Sequence, residues 1–503
     1  MGSSTTPAAE SKPPPPPPHV VLVPFPAHGH VAPHVQLARV LRARGANVTL
    51  VHTELHYRRL LRARGIDAGD DPPAAEDGGI AVEVIPDGLS LDDPPRTLRA
   101  HHEAMERNCL EPFKTLLRAM LRRSPPVSCV VADTPMPFAA VAAREVGVPD
   151  VQFFTASACG LMGYLQFEHL LARGVVPLPS GYDTDGSLDK PLEWVHGMHG
   201  VRLRDLPTFC RVTASDAGDG NDWLMRFHVH QMKTAASSKA VVLNTFYDME
   251  KDVVDALKPL LPPVYTVGPL ATVTASSSSS SPASGGGDRT ATSGIGLLKE
   301  DERCMAWLDG KAEGSVVYLS FGSHANMGGA ARPGEFAAGL ARCGSPYLWV
   351  LRPEMAAEVE AEVAGGEGDG LIVPWCAQEA VLGHPAVGLF VTHCGWNSIL
   401  ESVAAGVPVL GCPVLSEQTT NCRQASSAAA WGIGAELPQG AGREEVEAMV
   451  REMMGGRKGK EARERTREWK RMAEVSAREG GSSWENIGRF MEDVLLKVKE
   501  TTT

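Results

Sequence analysis

Two titratable residues follow apolar runs that predict parallel strands. His30 comes after the run HVVLVPF, and Asp133 comes after VSCVVA. Because ligands of open α/β sheets bind at the carboxyl ends of the strands, we expect both side chains on one edge of a single sheet. A carboxylate there can hold an imidazole in one tautomer, so the other ring nitrogen can take a proton from an alcohol. The pair therefore predicts general-base chemistry on a hydroxyl group.

A second cluster of polar residues surrounds Gly395 in the run HCGWNS. The apolar segment Val387–Thr392 predicts a strand, and a helix with Asn and Ser in its first turn is predicted to begin at Trp396 and to stop at Gly406. A glycine at such a turn lets the backbone approach a ligand closely, and the free N–H groups of the helix N-terminus favour an anion. These residues alone predict a diphosphate-sized site in a doubly wound sheet.

Alternating strand and helix patterns must position both clusters. We predict the strands of a first doubly wound unit at His19–Phe25, Asn47–His52, Ala81–Ile85, Val127–Ala132, Val151–Phe154 and Ala240–Leu243. A second unit repeats the pattern, with strands predicted at Ser315–Ser320, Tyr347–Leu351, Leu371–Pro374, Val387–Thr392 and Val407–Leu410. The predicted fold class is α/β, with two Rossmann-like doubly wound domains.

The length of 503 residues is too great for one ordinary core, so two domains are expected. The sharpest break in composition is the Ser- and Gly-rich stretch 276–296, which predicts a flexible interdomain linker. The predicted segments are a disordered proline-rich tail at 1–18, an N-terminal domain at 19–270, the linker at 271–297, a C-terminal domain at 298–480 and a final helix at 481–503.

Composition argues against several classes of protein. The formal net charge of −12 disfavours a general nucleic-acid binder, which needs a basic face. No segment reaches the roughly 18–20 consecutive apolar residues that cross a bilayer, and the N-terminus lacks the apolar core of a signal peptide. The ten cysteines are scattered singly, which favours reduced thiols over a disulfide framework. We therefore expect a cytoplasmic protein that does not insert into membranes.

Longer motifs carry a resemblance to a known family. The segment Trp375–Gln418, with WCAQ, HCGWNS and EQ in order, resembles the donor-sugar box of plant secondary-product UDP-glycosyltransferases almost position for position. The run PFPAHGH resembles the catalytic loop of the same family. The resemblance implies the GT-B architecture, in which an N-terminal acceptor-binding domain faces a C-terminal UDP-sugar-binding domain across a cleft. It also implies that the last helix, with a stripe from Ile487 to Leu495, packs back on the N-terminal domain.

The resemblance assigns roles to individual residues. It makes His30 the general base and Asp133 its partner. The residues that it implies for UDP are Trp375 against uracil, Cys376 and Ala377 on the base edge, Gln378 and Glu401 on the ribose, and His393, Gly395, Asn397, Ser398 and Ser323 around the pyrophosphate. Those that it implies for the sugar are Thr155, Trp396, Glu417 and Gln418. The terminal glutamine is associated in the family with glucose.

Acceptor identity rests on other segments. VEVIPDGLSL and VQFFTASACGLMGYL resemble the cyanohydrin glucosyltransferases of grasses. Acceptor specificity lies in loops, however, so a flavonoid, terpenoid or phenolic acceptor stays open. The predicted acceptor wall comprises His28, where the family commonly has glutamine, and Phe153, Phe154, Met162, Phe209, Trp223 and Met225.

Three positions depart from the donor box of the family. Cys412 stands where tryptophan is usual, and Leu415-Ser416 replaces an aromatic residue followed by a small one. These changes affect the wall near the sugar and weaken the expectation of glucose slightly. The UDP prediction does not depend on them.

No metal or other cofactor is expected, because fixed hydrogen-bond donors around the leaving diphosphate can replace a divalent ion. The run Asp183-Thr184-Asp185 matches the DxD metal motif of the other large glycosyltransferase fold, but it lies in a loop rich in Gly, Ser and Asp, far from any phosphate signature. We therefore interpret it as a solvated turn.

The predicted function is inverting transfer of glucose from UDP-glucose to the hydroxyl of a small hydrophobic plant metabolite such as a cyanohydrin. The chain is expected to be a monomer that can associate transiently with other biosynthetic enzymes. A nicotinamide-dependent oxidoreductase is the rival from another class, but GxGxxG is missing after the first strand. A non-catalytic UDP-sugar binder is the third alternative, against which His30 and Asp133 count.

Overall fold

A computed structural model gives the structure of the protein. It describes residues 16–63, 65–66, 79–91, 97–213, 222–278, 300–322, 333–353, 355–357, 359 and 369–496. The predicted proline-rich tail up to residue 15, most of the predicted linker and Ser323 lie outside these ranges.

The first domain is built on a parallel sheet of seven strands in the order β3-β2-β1-β4-β5-β6-β7. Its strands are β1 (His19–Val23), β2 (Asn47–Thr53), β3 (Ala81–Ile85), β4 (Val127–Asp133), β5 (Asp150–Phe154), β6 (Ala240–Leu243) and β7 (Val264–Thr266). Its helices are α1 (His28–Ala43), α2 (Glu54–Ala63), α3 (Leu98–Met120), α4 (Pro137–Glu145), α5 (Ala158–Leu165), α6 (Phe167–Ala172), α7 (Asp222–Ser237), α8 (Tyr247–Leu257) and α9 (Leu270–Ser278). Short 3₁₀ turns occupy Ser187–Asp189, Leu203–Asp205 and Thr208–Cys210.

The second domain has a parallel sheet of six strands in the order β10-β9-β8-β11-β12-β13. Its strands are β8 (Val316–Ser320), β9 (Tyr347–Val350), β10 (Gly370–Val373), β11 (Val387–Thr392), β12 (Val409–Gly411) and β13 (Gly434–Glu436). The helices that follow α9 are α10 (Arg303–Asp309), α11 (Pro333–Cys343), α12 (Gln378–Leu382), α13 (Trp396–Ala405), α14 (Gln418–Ser426), α15 (Arg443–Gly455), α16 (Arg457–Ala477) and α17 (Ser482–Phe490), with a π-helical turn at Met491–Leu496.

The two sheets confirm the predicted fold class. Each has the central strand order 3-2-1-4-5 of a doubly wound domain, in which neighbouring crossovers reverse beside the first strand. The sheet registers bring the ends of β1 and β4 together, because Val23 lies opposite Ala132. In the second sheet the end of β8 lies beside the end of β11, with Ser320 opposite Thr392. The carboxyl edges of both sheets therefore hold the loops that carry the predicted chemistry.

Two strands and one boundary differ from the sequence prediction. The strands β7 and β13 have three residues each, too few to show a periodic pattern. The predicted linker began at residue 271, whereas Leu270–Ser278 forms helix α9. Val273 in this helix is fully buried in the cluster that also contains Leu37 and Leu41 of α1. The serine-rich composition hid the helical start of this segment.

The end of the chain returns to the first domain. Ile487, Phe490 and Val494 belong to the hydrophobic cluster between β1, β4 and α1. Hydrogen bonds fix the approach, since the Asn486 amide donates to the Thr266 carbonyl oxygen at 3.1 Å and Ser483 Oγ donates to the Gly268 carbonyl oxygen at 2.5 Å. The π-helical turn ends the described part of this segment.

A single hydrophobic core joins the two domains. It runs from Phe154 and Leu161 in the first domain to Trp396 and Ile399 in the second. Such a shared apolar interface holds the carboxyl edges of the two sheets against each other across a cleft, in agreement with the GT-B arrangement.

Candidate active site

His30 and Asp133 meet at the carboxyl edge of the first sheet. The Nδ1 atom of His30 lies 2.8 Å from Oδ2 of Asp133. The Asp133 side chain is 1% exposed, whereas that of His30 is 33% exposed. The same carboxylate oxygen also accepts the backbone N–H of Phe25 at 3.1 Å. A buried carboxylate thus fixes the imidazole with Nδ1 as the proton donor, so Nε2 carries the lone pair.

The electrostatics of the pair raise the pKa of the imidazole. Burial by itself lowers the pKa of His30, but the charge and hydrogen bond of Asp133, together with the charge of Glu417, raise the pKa above its ordinary value. Burial also opposes ionisation of Asp133, yet its contacts with His30 and His34 lower the pKa of this carboxyl. The arrangement therefore stabilises the imidazolium that forms when His30 accepts a proton.

Thr155, predicted to contact the sugar, touches the imidazole. Its Oγ1 lies 3.0 Å from Nδ1 of His30 and is placed by the end of β5, next to β4. The sequence gives no sign of this contact, since residues 30 and 155 belong to different βα units. Thr155 shares with Asp133 the task of orienting the general-base candidate.

Helix α13 of the second domain reaches the loop that carries His30. The Asn397 side-chain amide donates to the Gly29 carbonyl oxygen at 2.8 Å. Trp396, predicted to contact the sugar, is a buried residue with 3% of its surface exposed. Its Nε1–H donates to the Asn244 carbonyl oxygen at 2.8 Å, so the indole joins the two domains. Trp396 is also among the residues that line the cleft, and its contact with the sugar stays a prediction.

His393 occupies a narrow slot between two glycines. A Cβ atom placed on Gly395 would lie 2.5 Å from Nε2 of His393, and one on Gly322 would lie 2.8 Å from the same atom. Only glycine leaves room for the ring at these positions. Gly322 also has a φ of +79°, which other residues rarely adopt. The imidazole is thereby held at the N-terminus of α13, where the predicted pyrophosphate site lies; Ser323, predicted for the same site, is outside the described residues.

A hydrogen-bonded corner forms where the ribose was predicted to bind. Nε2 of Gln378 donates to Ser398 Oγ at 3.0 Å and to Glu401 Oε2 at 2.6 Å. The Tyr318 hydroxyl donates to Gln378 Oε1 at 3.0 Å. Burial raises the pKa of Glu401 to about 8, the charge of Glu379 adds to the increase, and the Gln378 hydrogen bond opposes it.

Trp375 forms the outer wall of this corner. The ring of His28, which was predicted to line the acceptor cleft, lies edge-on to the Trp375 ring with 5.5 Å between centroids. His28 therefore reaches the donor side as well. Cys376 is buried, with Sγ 3.4 Å from the Tyr318 hydroxyl, while Ala377 lies beside it on the cleft.

The first domain contacts the part of the donor box that is predicted to bind the sugar. The Tyr164 hydroxyl lies 2.5 Å from Ser416 Oγ and donates to Glu417 Oε2 at 3.5 Å, and Ser416 Oγ also donates to that carboxylate. Ser416 has a φ of +64°, an uncommon conformation for a residue other than glycine. Oε1 of Gln418 accepts the N–H groups of Val414 and Leu415 at 2.9 and 3.0 Å. Gln418 also lines the cleft.

One cleft of about 1000 Å³ connects both clusters. Its lining includes His30, Asp133 and Thr155 from the first domain and Trp375, Gln378, His393, Asn397, Ser398, Glu401, Glu417 and Gln418 from the second. The general-base candidate and the predicted donor residues therefore share a single space.

The predicted acceptor wall was partly wrong. His28, Phe154 and Phe209 line the cleft, whereas Phe153, Met162, Trp223 and Met225 are not among its described lining residues. Phe153 is fully buried against His34, and Met162 is 1% exposed behind the cleft. Trp223 stacks on Phe227 but is not among the residues that line the cleft, and Met225 lines a separate surface pocket. Adjacent side chains point to opposite faces of a strand and lie about 100° apart around a helix, so composition alone did not resolve which of them face the cleft.

His102, Tyr164, Phe227, His228 and Gln231 also line the cleft, and sequence reasoning did not select them. These five residues lie on three different helices, α3, α5 and α7, so no local sequence motif marks them. The Asp183–Asp185 run lies in an exposed turn, where Asp185 accepts the N–H of Ser187 at 2.7 Å. Within the described ranges, no group of three or more His, Cys, Asp or Glu side chains is arranged to hold a metal ion.

Comparisons with known proteins identify the family. Residues 298–463 match the family model described as UDP-glucoronosyl and UDP-glucosyl transferase. The chain is 40% identical to a 7-deoxyloganetin glucosyltransferase of Catharanthus roseus, over 96% of this chain and 97% of that protein. The chain belongs to the plant UDP-glycosyltransferases. It is also 39% identical to an (R)-mandelonitrile beta-glucosyltransferase of Prunus dulcis, over 96% of this chain and 98% of that one.

Solved structures agree with this family. The crystal structure of Os79 from O. sativa in complex with UDP is similar with a TM-score of 0.74 and 28% identity, over 94% of this chain and 100% of that one. The present protein is therefore a GT-B enzyme with a UDP-sugar donor. The alternative of a nicotinamide-dependent oxidoreductase is excluded. In the part of the chain that the structure describes, no helix is both long enough and apolar enough to span a bilayer.

Proposed function

We propose that this enzyme transfers glucose from UDP-glucose to the hydroxyl group of a small hydrophobic alcohol, with inversion at the anomeric carbon and without a metal ion. The observation that carries the proposal is the His30–Asp133 pair, which opens into the same cleft as the donor box. The product would be a β-O-glucoside and UDP.

In the proposed step, Nε2 of His30 takes the proton of the acceptor hydroxyl while its oxygen attacks the anomeric carbon. Attack comes from the face opposite UDP, and the bond from that carbon to the diphosphate oxygen breaks with its electron pair. The imidazolium that forms is stabilised by Asp133, and the proton leaves later to solvent. One displacement at the carbon inverts its configuration.

The leaving diphosphate gains negative charge, and the second domain offers it fixed donors. The N-terminus of α13 presents free N–H groups, to which the first-turn side chains of Asn397 and Ser398 add. The His393 ring packs closely against Gly322 and Gly395 beside this helix end. Donors that are already in place need no reorganisation as charge develops, which makes a divalent ion unnecessary in this proposal.

We propose the following contacts with the donor. Trp375 stacks on uracil, and the Cys376–Ala377 backbone meets the base edge. The Gln378 and Glu401 side chains exchange their mutual hydrogen bond for bonds to the ribose hydroxyls. Glu417 and Gln418 hold the hexose hydroxyls.

Relatives suggest the acceptor. One is an (R)-mandelonitrile glucosyltransferase, and another is a 7-deoxyloganetin glucosyltransferase. Because the two relatives are named for different acceptors, the relationship supports a hydrophobic alcohol as a class more strongly than any single molecule. We propose a cyanohydrin as the first candidate. The ten free cysteines fit a reducing compartment, and we propose a cytoplasmic monomer.

The decisive experiment measures UDP release from UDP-glucose with cyanohydrins such as mandelonitrile, flavonols, terpenoid alcohols and simple phenols, with EDTA present. We expect turnover that EDTA leaves unchanged and that His30→Ala reduces by about 10²–10⁴-fold. Proton NMR of the product should show a β-anomeric linkage. Full turnover in His30→Ala would refute the general-base role, an α-linkage would refute inversion, and loss with EDTA would refute metal independence.

A further inference from the structure

One face of helix α5 in the first domain packs against the part of the donor box that is predicted to bind the sugar. Gly160, Gly163 and Tyr164 share this face, because residues three and four positions apart lie together on a helix. A Cβ atom added to Gly160 would lie 2.9 Å from Cγ of Glu417, so a larger residue there would displace the carboxylate side chain. A Cβ atom on Gly163 would lie 2.5 Å from Cδ of Pro207. The helix backbone therefore lies directly against Glu417.

The loop before α14 is also hydrogen-bonded to the first domain. The Ser416 N–H donates to Oγ1 of Thr208 at 2.8 Å, and the Thr208 N–H donates to the Ser416 carbonyl oxygen at 2.9 Å. On the other side of Glu417, Oγ1 of Thr419 donates to the Leu206 carbonyl oxygen at 2.8 Å. The chain before and after Glu417 is thus held by the first domain.

The Tyr164 hydroxyl extends this contact to the Glu417 carboxylate. Ser416 Oγ donates to Oε2 of Glu417, and a serine hydroxyl has a single proton to donate. The Tyr164 hydroxyl, 2.5 Å from Ser416 Oγ, is therefore the donor in the bond between these two oxygens. Its direct distance to Oε2 of Glu417 is 3.5 Å, so the serine carries most of the contact. Burial, with the charge of Glu417, raises the pKa of Tyr164 well above its ordinary value, which keeps the phenol protonated.

We propose that Tyr164 is a positioning residue for recognition of the donor sugar, and that it acts through Ser416 to hold Glu417 where this carboxylate accepts hydroxyl groups of the hexose. This inference rests on the proposed function, in which Glu417 binds the sugar, and it deepens that function. A carboxylate in a fixed orientation distinguishes hydroxyl groups by their position, whereas one that can rotate does so less. Selectivity for the sugar should therefore depend on a residue of the acceptor-binding domain.

The ring of Tyr164 has a separate role from its hydroxyl. It packs among aromatic side chains, with its centroid 6.0 Å from that of Phe154 and 4.9 Å from that of His228. These ring contacts do not need the hydroxyl group. The substitution Tyr164→Phe removes the hydroxyl and keeps the ring, so it separates positioning from packing.

Calorimetric binding of UDP-glucose, UDP-galactose and UDP, without an acceptor, tests the inference. In Tyr164→Phe we expect the affinity for UDP-glucose to fall by about tenfold, because the chain of hydrogen bonds that orients the charged carboxylate is broken. The preference for UDP-glucose over UDP-galactose should fall as well. Affinity for UDP should stay within about twofold of the wild-type value, since UDP has no hexose hydroxyl groups.

Further variants test the route of the effect. Ser416→Ala should resemble Tyr164→Phe, and the double variant should lose no more affinity than either single variant, because both substitutions break one chain. Gly160→Ala perturbs Glu417 from another side. Its Cβ would displace the Glu417 side chain, so UDP-glucose affinity should fall again while UDP affinity is kept.

Tyr247→Phe is the matched control. It also removes a tyrosine hydroxyl that donates to a carboxylate, that of Asp255 at 2.9 Å. Tyr247 is not among the described residues that line the cleft. This variant should bind UDP-glucose, UDP-galactose and UDP as the wild type does.

Wild-type affinity for UDP-glucose in Tyr164→Phe would overturn the inference. So would an equal loss for UDP and UDP-glucose, which would indicate a purely structural role, or additive losses in the double variant. If Glu417→Ala loses UDP-glucose affinity and Tyr164→Phe does not, the sugar contact of the proposed function stands and the positioning role is refuted. The expected binding pattern without glucose transfer to any alcohol would instead support the positioning role and refute the proposed transfer.

Discussion

At the scale of single residues, the orientation of His30, the general-base candidate, depends on the contacts of its ring nitrogen Nδ1. Nδ1 of His30 lies within hydrogen-bonding distance of both Asp133 and Thr155. One N–H cannot satisfy two acceptors equally, and the charged oxygen is the stronger. The Thr155 oxygen is therefore the weaker second acceptor of this N–H, and its contact adds to the orientation of the ring.

The substitution Thr155→Val tests this contact. We expect kcat/KM to fall by about tenfold, because one hydrogen bond to the imidazole is lost while the shape of the side chain is kept. The loss should be equal with UDP-glucose and UDP-xylose, since xylose lacks the 6-hydroxymethyl group. A loss confined to UDP-glucose would show that Thr155 binds the sugar 6-hydroxyl instead.

The Glu401 carboxyl predicts a pH dependence of donor affinity. Its pKa of about 8, raised mainly by burial, means that it is protonated at neutral pH before ligand binds. Ribose hydroxyls donate best to the ionised form, so binding should release a proton and tighten as pH rises. We expect UDP-glucose affinity to increase about tenfold between pH 7 and 8.5.

Calorimetry in two buffers of different ionisation enthalpy measures the proton release. UDP-glucose is the suitable ligand because its diphosphate does not titrate in this range. Glu401→Gln should remove both the pH dependence and the proton release. Proton uptake on binding to the wild type, or an unchanged profile in the variant, would contradict this account.

At the scale of elements, the diphosphate site depends on one strand-to-helix turn. Cys394 has a φ of +63°, unusual for a residue other than glycine, and the next residue is Gly395, which packs against His393. An uncommon conformation at the start of α13 aims the helix N-terminus into the cleft. Strain of this kind persists because the buried surroundings of the turn fix it.

The substitution Gly395→Ala should disrupt this turn. Its Cβ would come within 2.5 Å of His393 Nε2, so the ring or the start of α13 must move. We expect the dissociation constant for UDP to rise by about tenfold or more, as positioned donors are lost. Gly455→Ala in α15 is the control, since nothing lies within 4 Å of its added Cβ. Unchanged UDP affinity in Gly395→Ala would mean that the slot around His393 is adaptable.

At the scale of the whole molecule, buried hydrogen bonds tie the domains together. Ser157 Oγ at the start of α5 donates to Asn421 Oδ1 of α14 at 2.6 Å. The Asn421 amide in turn donates to the Cys394 carbonyl oxygen at 3.0 Å. The helices of the interface and the diphosphate turn are thus connected through one fully buried side chain.

The substitution Asn421→Ala removes both bonds, so the Ser157 hydroxyl loses its acceptor and the Cys394 carbonyl oxygen loses this donor. We expect the free energy of unfolding to fall by about 1–3 kcal/mol and UDP affinity to weaken as well. Denaturant titration and calorimetry measure the two effects. Asn47→Ala, at an exposed position at the start of β2, should change neither. Wild-type stability in Asn421→Ala would show that these two hydrogen bonds do not stabilise the interface.

Much of the fold could be predicted because strands such as β1 and β11 are continuous apolar runs, as strands covered on both faces must be. The short edge strands β7 and β13 could not, since three residues carry no period. Helix α9 was missed because its buried Val273 lies within a serine-rich segment.

The sequence by itself determined the family and the donor box, because that site is built from one contiguous stretch in which each residue type has a local role. It also indicated His30 and Asp133, since both follow recognisable strands. Only the tertiary structure decided that Trp396 is buried in the domain interface and that Thr155 touches His30. It likewise decided which aromatic residues line the acceptor cleft. These contacts join residues far apart in the chain, and which of two adjacent side chains faces the cleft depends on packing that no local pattern records.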